Sequence, residues 1–268
     1  MITTELQDYI PEEEWPPVST MLDGFGDQTL PASDALSGTT LRLATNHSEV
    51  TEYRFQDATT LEWSEPTSSG SATYKAIEAR PGIFIIDFVR GQHKEEKSDA
   101  ENVTIIFDSN TGAITTAVSG FVTRDSEVRC TTEFVHSNVN GPADAIHQRS
   151  PGLIGKRIFY RYSDVETYEH IYLNQGTFTW HCVRGGEAGL ADTDRCMTWA
   201  VAEDLYLFFW TEKVMTVDAV LLIDLREQRS IGRMFGWDDP AAEPVILPFN
   251  SRLSVLNTTG YPQDTHKH

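Results

Sequence analysis

The sequence predicts an all-β chain built of two tandem antiparallel β-barrels related by internal duplication. Three observations carry that expectation. The stretches from Thr39 to Phe134 and from Lys156 to Leu256 are rich in β-branched and aromatic side chains. They run in short apolar–polar alternations separated by Gly, Asn, Asp and Ser clusters, the pattern of a sandwich or barrel. Landmarks also recur at a nearly fixed spacing. Leu36-Ser37-Gly38 and Leu61-Glu62-Trp63 return as Leu153-Ile154-Gly155 and Phe178-Thr179-Trp180, with Gly155 − Gly38 = 117 and Trp180 − Trp63 = 117. Ile105-Ile106-Phe107-Asp108 returns as Leu221-Leu222-Ile223-Asp224, and Gly120-Phe121 as Gly236-Trp237, both at a spacing of 116. A duplicated unit of about 110 residues is the economical explanation. Each unit holds roughly eight candidate strands, the number that closes into a small barrel and removes its own edges.

The elements follow in order. Residues 1–30 form an N-terminal extension and are the only part of the chain compatible with helix. The first barrel covers residues 31–139. Its clearest strands are Gly82 to Val89 and Asn102 to Phe107, and a turn at Asp108-Ser109-Asn110-Thr111-Gly112 leads into Ala113 to Val118. Asn140 to Gly152, with two prolines and two glycines, is the linker. The second barrel covers residues 153–260.

Composition narrows the function classes. At 268 residues the chain fits one large or two small domains, and 40 % hydrophobic residues suffice for a sizeable core. Forty acidic side chains against 21 basic ones leave a net charge of -19, which repels a nucleic-acid duplex or an anionic membrane. Neither is expected as a partner, and the plain role of the acidity is solubility. Cys130, Cys182 and Cys196 are too few and too scattered for a disulfide framework. Met1 to Pro17 is acidic and lacks an apolar signal core, and no stretch approaches the roughly 18 apolar residues of a membrane span. The chain therefore reads as cytoplasmic, and Asn46-His47-Ser48, Asn102-Val103-Thr104 and Asn257-Thr258-Thr259 as chance matches to the glycosylation pattern. A homodimer is left open.

Side chains alternate across a strand, so residues two apart share a face. On one face stand Ile158, Tyr160 and Tyr162; on another, Tyr168, His170 and Tyr172; on a third, Tyr206, Phe208, Trp210 and Glu212. The opposite face of that last strand is Leu205, Leu207, Phe209 and Thr211, so the strand is expected to be buried on both sides. Glu212 then closes a wall of aromatic rings. A carboxyl there loses hydration, its pKa rises, and it can act as general acid or base near neutral pH. The phenols of Tyr160 and Tyr162 can donate to a ligand oxygen as negative charge develops on it.

Each of these has a plainer reading. Tyr-x-Tyr on a strand is ordinarily packing, Glu212-Lys213 at a strand end is ordinarily a solvated pair, and His170 or His181 is ordinarily a satisfied histidine. His170, His181, Glu187, Asp192, Asp194 and Cys196 show no standard metal-ligand spacing, so no metal is expected. Gly185-Gly186-Glu187-Ala188-Gly189 lacks the Lys-Ser/Thr of a phosphate loop and reads as a flexible hairpin or lid. The first unit lacks the polar cluster: shifting by 117 puts Leu43 and Thr45 where the second has Tyr160 and Tyr162. Its interior is expected to be filled and structural.

The run Gly155 to Tyr162, Tyr168 to Asn174, Thr179-Trp180-His181-Cys182, Gly189 to Asp194 and Leu205 to Lys213 together resemble the MoaF family. The resemblance is dense in the second unit and reaches the first through Leu30-Pro31 and the Leu36-Ser37-Gly38 strand. It implies a pair of lipocalin- or calycin-like barrels. The second unit is also similar, more distantly, to bacterial phenolic acid decarboxylases, which are lipocalin-type barrels needing no cofactor. That likeness puts the family's tyrosine pair on Tyr160 and Tyr162, a further tyrosine on Tyr168 and the glutamate on Glu212. The family's carboxylate-binding arginine falls on Cys182, which cannot supply a bidentate fork. Arg184, two residues on, replaces it only if the loop turns inward.

Fungal MoaF-like proteins are similar in one further respect. Some are associated with dehydrating a hydroxymethyl tropolone to a quinone methide and guiding its hetero-Diels–Alder addition to a terpene. The resemblances thus imply a cofactor-free lyase or cyclase on a small apolar or aromatic substrate. Glu212, Tyr160 and Tyr162 are the catalytic residues; Tyr168, His170, Trp180, Cys182, Arg184, Phe208 and Trp210 bind the substrate. A phenolic acid decarboxylase and a non-catalytic small-ligand carrier are the alternatives.

Overall fold

The computed structural model describes residues 10–22, 24–44, 50–91, 93–94, 97–98, 100–124, 127–139 and 144–260. Among them every long element is a strand. The first unit runs β1 (Thr40–Ala44), β2 (Val50–Phe55), β3 (Thr60–Ser64), β4 (Ser69–Arg80) and β5 (Ile83–Arg90). A two-residue hairpin, β6 (His93–Lys94) and β7 (Lys97–Ser98), precedes β8 (Glu101–Asp108), β9 (Ala113–Arg124) and β10 (Glu127–Asn138). Apart from that hairpin, these strands form one eight-stranded sheet in chain order, each antiparallel to the next. Its inner face is solid with Phe55, Leu61, Ile86, Val103 and Ile105, all shut off from water. Leu43 is buried among them; Thr45 lies outside the described residues.

The second unit runs β11 (Gln148–Arg149), β12 (Lys156–Arg161), β13 (Thr167–Asn174), β14 (Thr177–Arg184), β15 (Ala191–Ala202) and β16 (Leu205–Thr211). It ends with β17 (Val217–Asp224), β18 (Arg229–Asp238), β19 (Glu243–Pro248) and β20 (Ser251–Thr258). The pairing order β15-β14-β13-β12-β20-β18-β17-β16 returns to its start because β16 also pairs with β15. Of ten strands in this sheet, β11 and β19 lie off that circuit, and the remaining eight close a barrel.

The duplication is visible strand by strand. β2 begins at Val50 and β13 at Thr167, a shift of 117; β8 spans 101–108 and β17 spans 217–224, a shift of 116. Gly38 and Gly155, at equivalent positions, share the left-handed backbone, with φ of 76° and 79°. Such a φ is natural only to glycine.

The expected first barrel is corrected to an open half-barrel: β1 and β10 end the sheet, and no pairing joins them among the described residues. The reason lies in the last strand. β10 stays in register with β9 along its whole length, from Glu127↔Arg124 to Asn138↔Ala113. In the second unit the corresponding chain breaks after Pro248. β19 pairs with β18, then β20 crosses to β12 and completes the circuit. The open edge strand β10 carries Glu127, Arg129 and Glu133, charges of the kind that discourage edge-to-edge pairing.

Among its described residues the N-terminal segment holds two short 3-10 turns, Glu12–Glu14 and Val18–Leu22. Pro11, Pro16 and Pro17 lack the donors a longer helix needs. The segment belongs to the barrel, with Val18, Met21 and Phe25 buried in its core. Among the described residues no helix is long and apolar enough to cross a membrane.

Candidate active site

Consecutive antiparallel strands alternate in direction, so the loops β12–β13, β14–β15 and β16–β17 all open at one end of the barrel. The site lies under that end. Alternation along β12, β13, β14 and β16 sends Ile158, Tyr160, Tyr168, His170, Tyr172, Phe178, Trp180, Cys182, Phe208 and Trp210 into the interior, and Tyr162 continues the inward face just past β12. The outward neighbours Leu205, Leu207 and Phe209 are buried too, so β16 is buried on both faces.

A small cavity of about 10 Å³ is lined by Met21, Tyr168, His170, Trp180, Glu187, Trp210, Glu212, Met234 and Phe249. That is room for roughly one water. Five residues read from the sequence therefore meet on one cavity: Glu212, Tyr168, His170, Trp180 and Trp210. Tyr160, Tyr162, Cys182 and Phe208 do not line it. They lie fully buried in the packed core, where Tyr160 and Tyr172 share a hydrogen bond of 2.6 Å between hydroxyls. Tyr162 packs its ring on Phe25 and Phe249, with centroids 4.7 and 4.4 Å away. Arg184 is exposed at the end of β14, away from the cavity lining.

Glu212 stands where β16 leaves the barrel, its N–H donating to Val217 O at 3.1 Å. As a residue it is partly exposed, yet its Oε2 is closed off from solvent and has no hydrogen-bond partner. Burial pushes its carboxyl well above the usual range, and the charges of Glu187, Asp194 and Asp192 push the same way. Glu187 is 3 % exposed, which matters for a carboxylate. Tyr168 OH donates to its Oε2 at 2.7 Å, while Oε1 is buried without a partner. Burial raises Glu187 to about 7, with the Tyr168 hydrogen bond opposing and Glu166 adding to the rise. Asp194, raised by burial to about 6, accepts from Trp180 Nε1 at 2.8 Å. The indole N–H of Trp210 is buried and unpartnered. Burial lowers His170 to about 3, so the ring is neutral, with Nδ1 3.3 Å from Tyr172 OH. Burial lifts the Cys182 thiol to about 11.

Glu187 and Asp194 are missing from the residues read as a site in the sequence. Glu187 sits in the glycine-rich loop, which bends so that its one acidic side chain turns inward. Gly185 has φ 136°, and a Cβ there would fall 1.8 Å from Glu166 Oε2. Gly189 has φ 92°. The glycines flanking a single carboxylate were the available signal. Asp194 alternates with the buried Cys196 on β15, and that periodicity marked it as inward. Among the described residues no three His, Cys, Asp or Glu side chains gather as metal ligands.

Fold and site together define a class: a duplicated all-β protein with one open half-barrel and one closed barrel that encloses a small acidic, aromatic-walled cavity. The chain belongs to the MoaF family. Residues 13–123 match the MoaF N-terminal domain and residues 147–259 the MoaF C-terminal domain. It is 30 % identical over 261 residues to Protein MoaF of Klebsiella aerogenes, covering 92 % of this chain and 97 % of that one. A Burkholderia vietnamiensis crystal structure, described as a proposed beta-lactamase, aligns with 41 % of this chain and 100 % of its own at 21 % identity. Its TM-score of 0.34 is too low to bear on fold or function.

Proposed function

We propose that the closed barrel catalyses cofactor-free acid–base chemistry of the lyase type on a small phenol- or tropolone-like compound. The observation that carries this reading is the meeting of Glu212 and Glu187 on one water-poor cavity. Burial holds the Glu212 carboxyl protonated, while Glu187, raised to about 7, is shared between acid and carboxylate at neutral pH. Titratable neighbours whose pKa values are pushed apart are the mark of an acid and its base.

In a dehydration, the Glu212 carboxylic acid protonates a hydroxymethyl oxygen on the substrate. The C–O bond breaks and water leaves. The proton of the ring hydroxyl passes to the Glu187 carboxylate, and a quinone methide remains. Tyr168 orients Glu187 through its hydrogen bond. Trp180, Trp210 and Phe249 wall the methide from bulk water, which would otherwise hydrolyse it. The proton work thus moves from Tyr160 and Tyr162, which lie in the packed core, to Glu187 beside Glu212. In the finer version of the reading the methide then undergoes a guided hetero-Diels–Alder addition. A substrate of that size displaces Met21 and the turn that carries it.

The decarboxylase reading is weakened by Cys182 and by the exposure of Arg184, which leave no Arg or Lys on the lining. The net charge of -19 disfavours nucleic acid and anionic membrane as partners, in keeping with a small-molecule ligand, and a cytoplasmic place belongs to the same proposal. The test is incubation with 4-hydroxybenzyl alcohol and a thiol, reading the trapped adduct by mass spectrometry. Wild type accelerates adduct formation and Glu212→Gln does not. Equal rates with wild type, variant and buffer overturn the proposal. Carbon dioxide release from hydroxycinnamates would instead establish the decarboxylase.

A further inference from the structure

We infer that the group seated against Glu187 and Glu212 is a protonated amine, carried on an aromatic or otherwise apolar body. The inference rests on the reading that this cavity is a ligand site, but not on any turnover there.

Three features of the lining lead to it. Glu187 Oε1 and Glu212 Oε2 are both buried carboxyl oxygens without partners, and both are acceptors once a cation beside them ionises the carboxyls. A buried acceptor left unsatisfied is costly, and two on one cavity call for a group with several donors. An ammonium has three N–H donors and no acceptor, which matches that demand; a carboxylate or phosphate has none to give. The second feature is the unpartnered indole N–H of Trp210, 3 % exposed and on the same lining. It is independent of the acidic cluster. It marks a second polar position on the lining that the chain's own groups leave unfilled; an ammonium has no acceptor for it, so it bears on occupancy of the cavity and not on the choice of head group.

The third feature is the wall. The rings of Tyr168, Trp180, Trp210 and Phe249 surround the carboxyls, and aromatic faces attract a cation. None of the lining residues is Lys or Arg, and His170 is neutral. Lys213 is exposed, its ammonium 2.7 Å from Asp192 Oδ1. The cavity volume of about 10 Å³ suits a single water-sized head group, and an ammonium is of that size. The apolar body then lies towards Met21 and Phe249, where the N-terminal turn must give way.

The test compares three probes with one body and three heads: benzylamine, benzyl alcohol and benzoate. Binding is followed by calorimetry and by the fluorescence of the barrel tryptophans, at a pH where the amine is protonated and the benzoate ionised. Benzylamine is expected to bind, benzyl alcohol about ten- to hundredfold more weakly, and benzoate not at all. Glu187→Gln and Glu212→Gln are each expected to weaken benzylamine by about tenfold or more, while their circular dichroism matches wild type. Benzoate or benzyl alcohol binding as tightly as the amine overturns the inference. So does absence of benzylamine binding at millimolar concentration. The head-group comparison needs only the wild-type chain, so a poorly folding variant does not blunt it. Amine binding without thiol-trapped product would refute the proposed lyase activity and leave this inference standing.

Discussion

Replacing Glu187 by Gln should make the protein more stable, and only above acidic pH. The carboxyl is raised from 4.5 to about 7 in the folded barrel, chiefly by burial. A raised folded-state pKa means the native state holds the proton more tightly than the unfolded chain does. Its stabilising contribution is therefore complete below about pH 4.5 and is lost as pH climbs through 7. The interval 7 − 4.5 is 2.5 pKa units, or about 3 kcal/mol, given about 1.4 kcal/mol per unit. Gln keeps an oxygen for Tyr168 OH and carries no proton to lose. Thermal unfolding followed by circular dichroism from pH 5 to 8.5 reads the effect. Wild type should lose midpoint temperature across that range faster than Glu187→Gln. For a unit of this size the gap at pH 8 should reach on the order of 5–10 °C. Parallel curves for the two proteins would show that Glu187 is not held protonated, and the acid–base reasoning built on it would fail.

Two further perturbations test the barrel itself. Asp218 and Arg233 form an ion pair on β17 and β18 with side chains 0 % and 3 % exposed, so Asp218→Ala removes the carboxylate that a buried guanidinium is paired with. Urea unfolding should show a loss of about 3–5 kcal/mol, largely recovered in the double variant Asp218→Ala/Arg233→Met; no recovery would mean the pair is not the cause. Phe25 stacks on Phe249 at 5.2 Å and closes the barrel over Tyr162, so Phe25→Ala should cost about 3–5 kcal/mol. It should also let acrylamide quench Trp180 and Trp210 more readily, and unchanged quenching would deny the segment its covering role.

The period-2 alternation of β12, β13 and β16 made the inward faces legible in the sequence, because a strand buried on a barrel interior has no other way to arrange Tyr160, His170 or Phe208. The constant spacing of Gly38 with Gly155 and of Asp108 with Asp224 made the duplication legible, since both pairs sit at turns that tolerate few substitutes. Closure was not legible. It depends on whether the last strand crosses to the first, and that is decided by a break at Pro248-Phe249-Asn250 in one unit and an uninterrupted β10 in the other. Nor could the cavity lining be read from the inward face. Tyr160 and Tyr168 are cross-strand partners that both point inward, but only Tyr168 lines the cavity, while the Tyr160 hydroxyl is engaged with Tyr172. Glu187 escaped for a different reason: loops have no periodicity, so the inward turn of its side chain is set by glycine backbone angles.

The distribution of unsatisfied groups bears on function independently of any relative. Tyr162 OH, Glu166 Oε2, Glu187 Oε1, Trp210 Nε1 and Glu212 Oε2 of the closed-barrel unit are buried without a partner, against Thr116 Oγ1 and His147 Nε2 of the half-barrel unit. Each such atom costs about 1–3 kcal/mol, comparable with a large part of a domain's net stability when summed. Nothing in the barrel's architecture demands them. Leu or Met at 187 and 212 would fill the same space and relieve the strain on a carboxyl pair. A core under selection for packing alone drifts towards apolar residues at such places. In the half-barrel, Phe55, Leu61 and Val103 fill the interior at the places that Tyr172, Phe178 and Ala219 take in the closed barrel. Two costly carboxyls on one cavity of the second copy support the proposal that the chemistry belongs there, and under that proposal the expected pH-dependent instability from Glu187 is a by-product of the site.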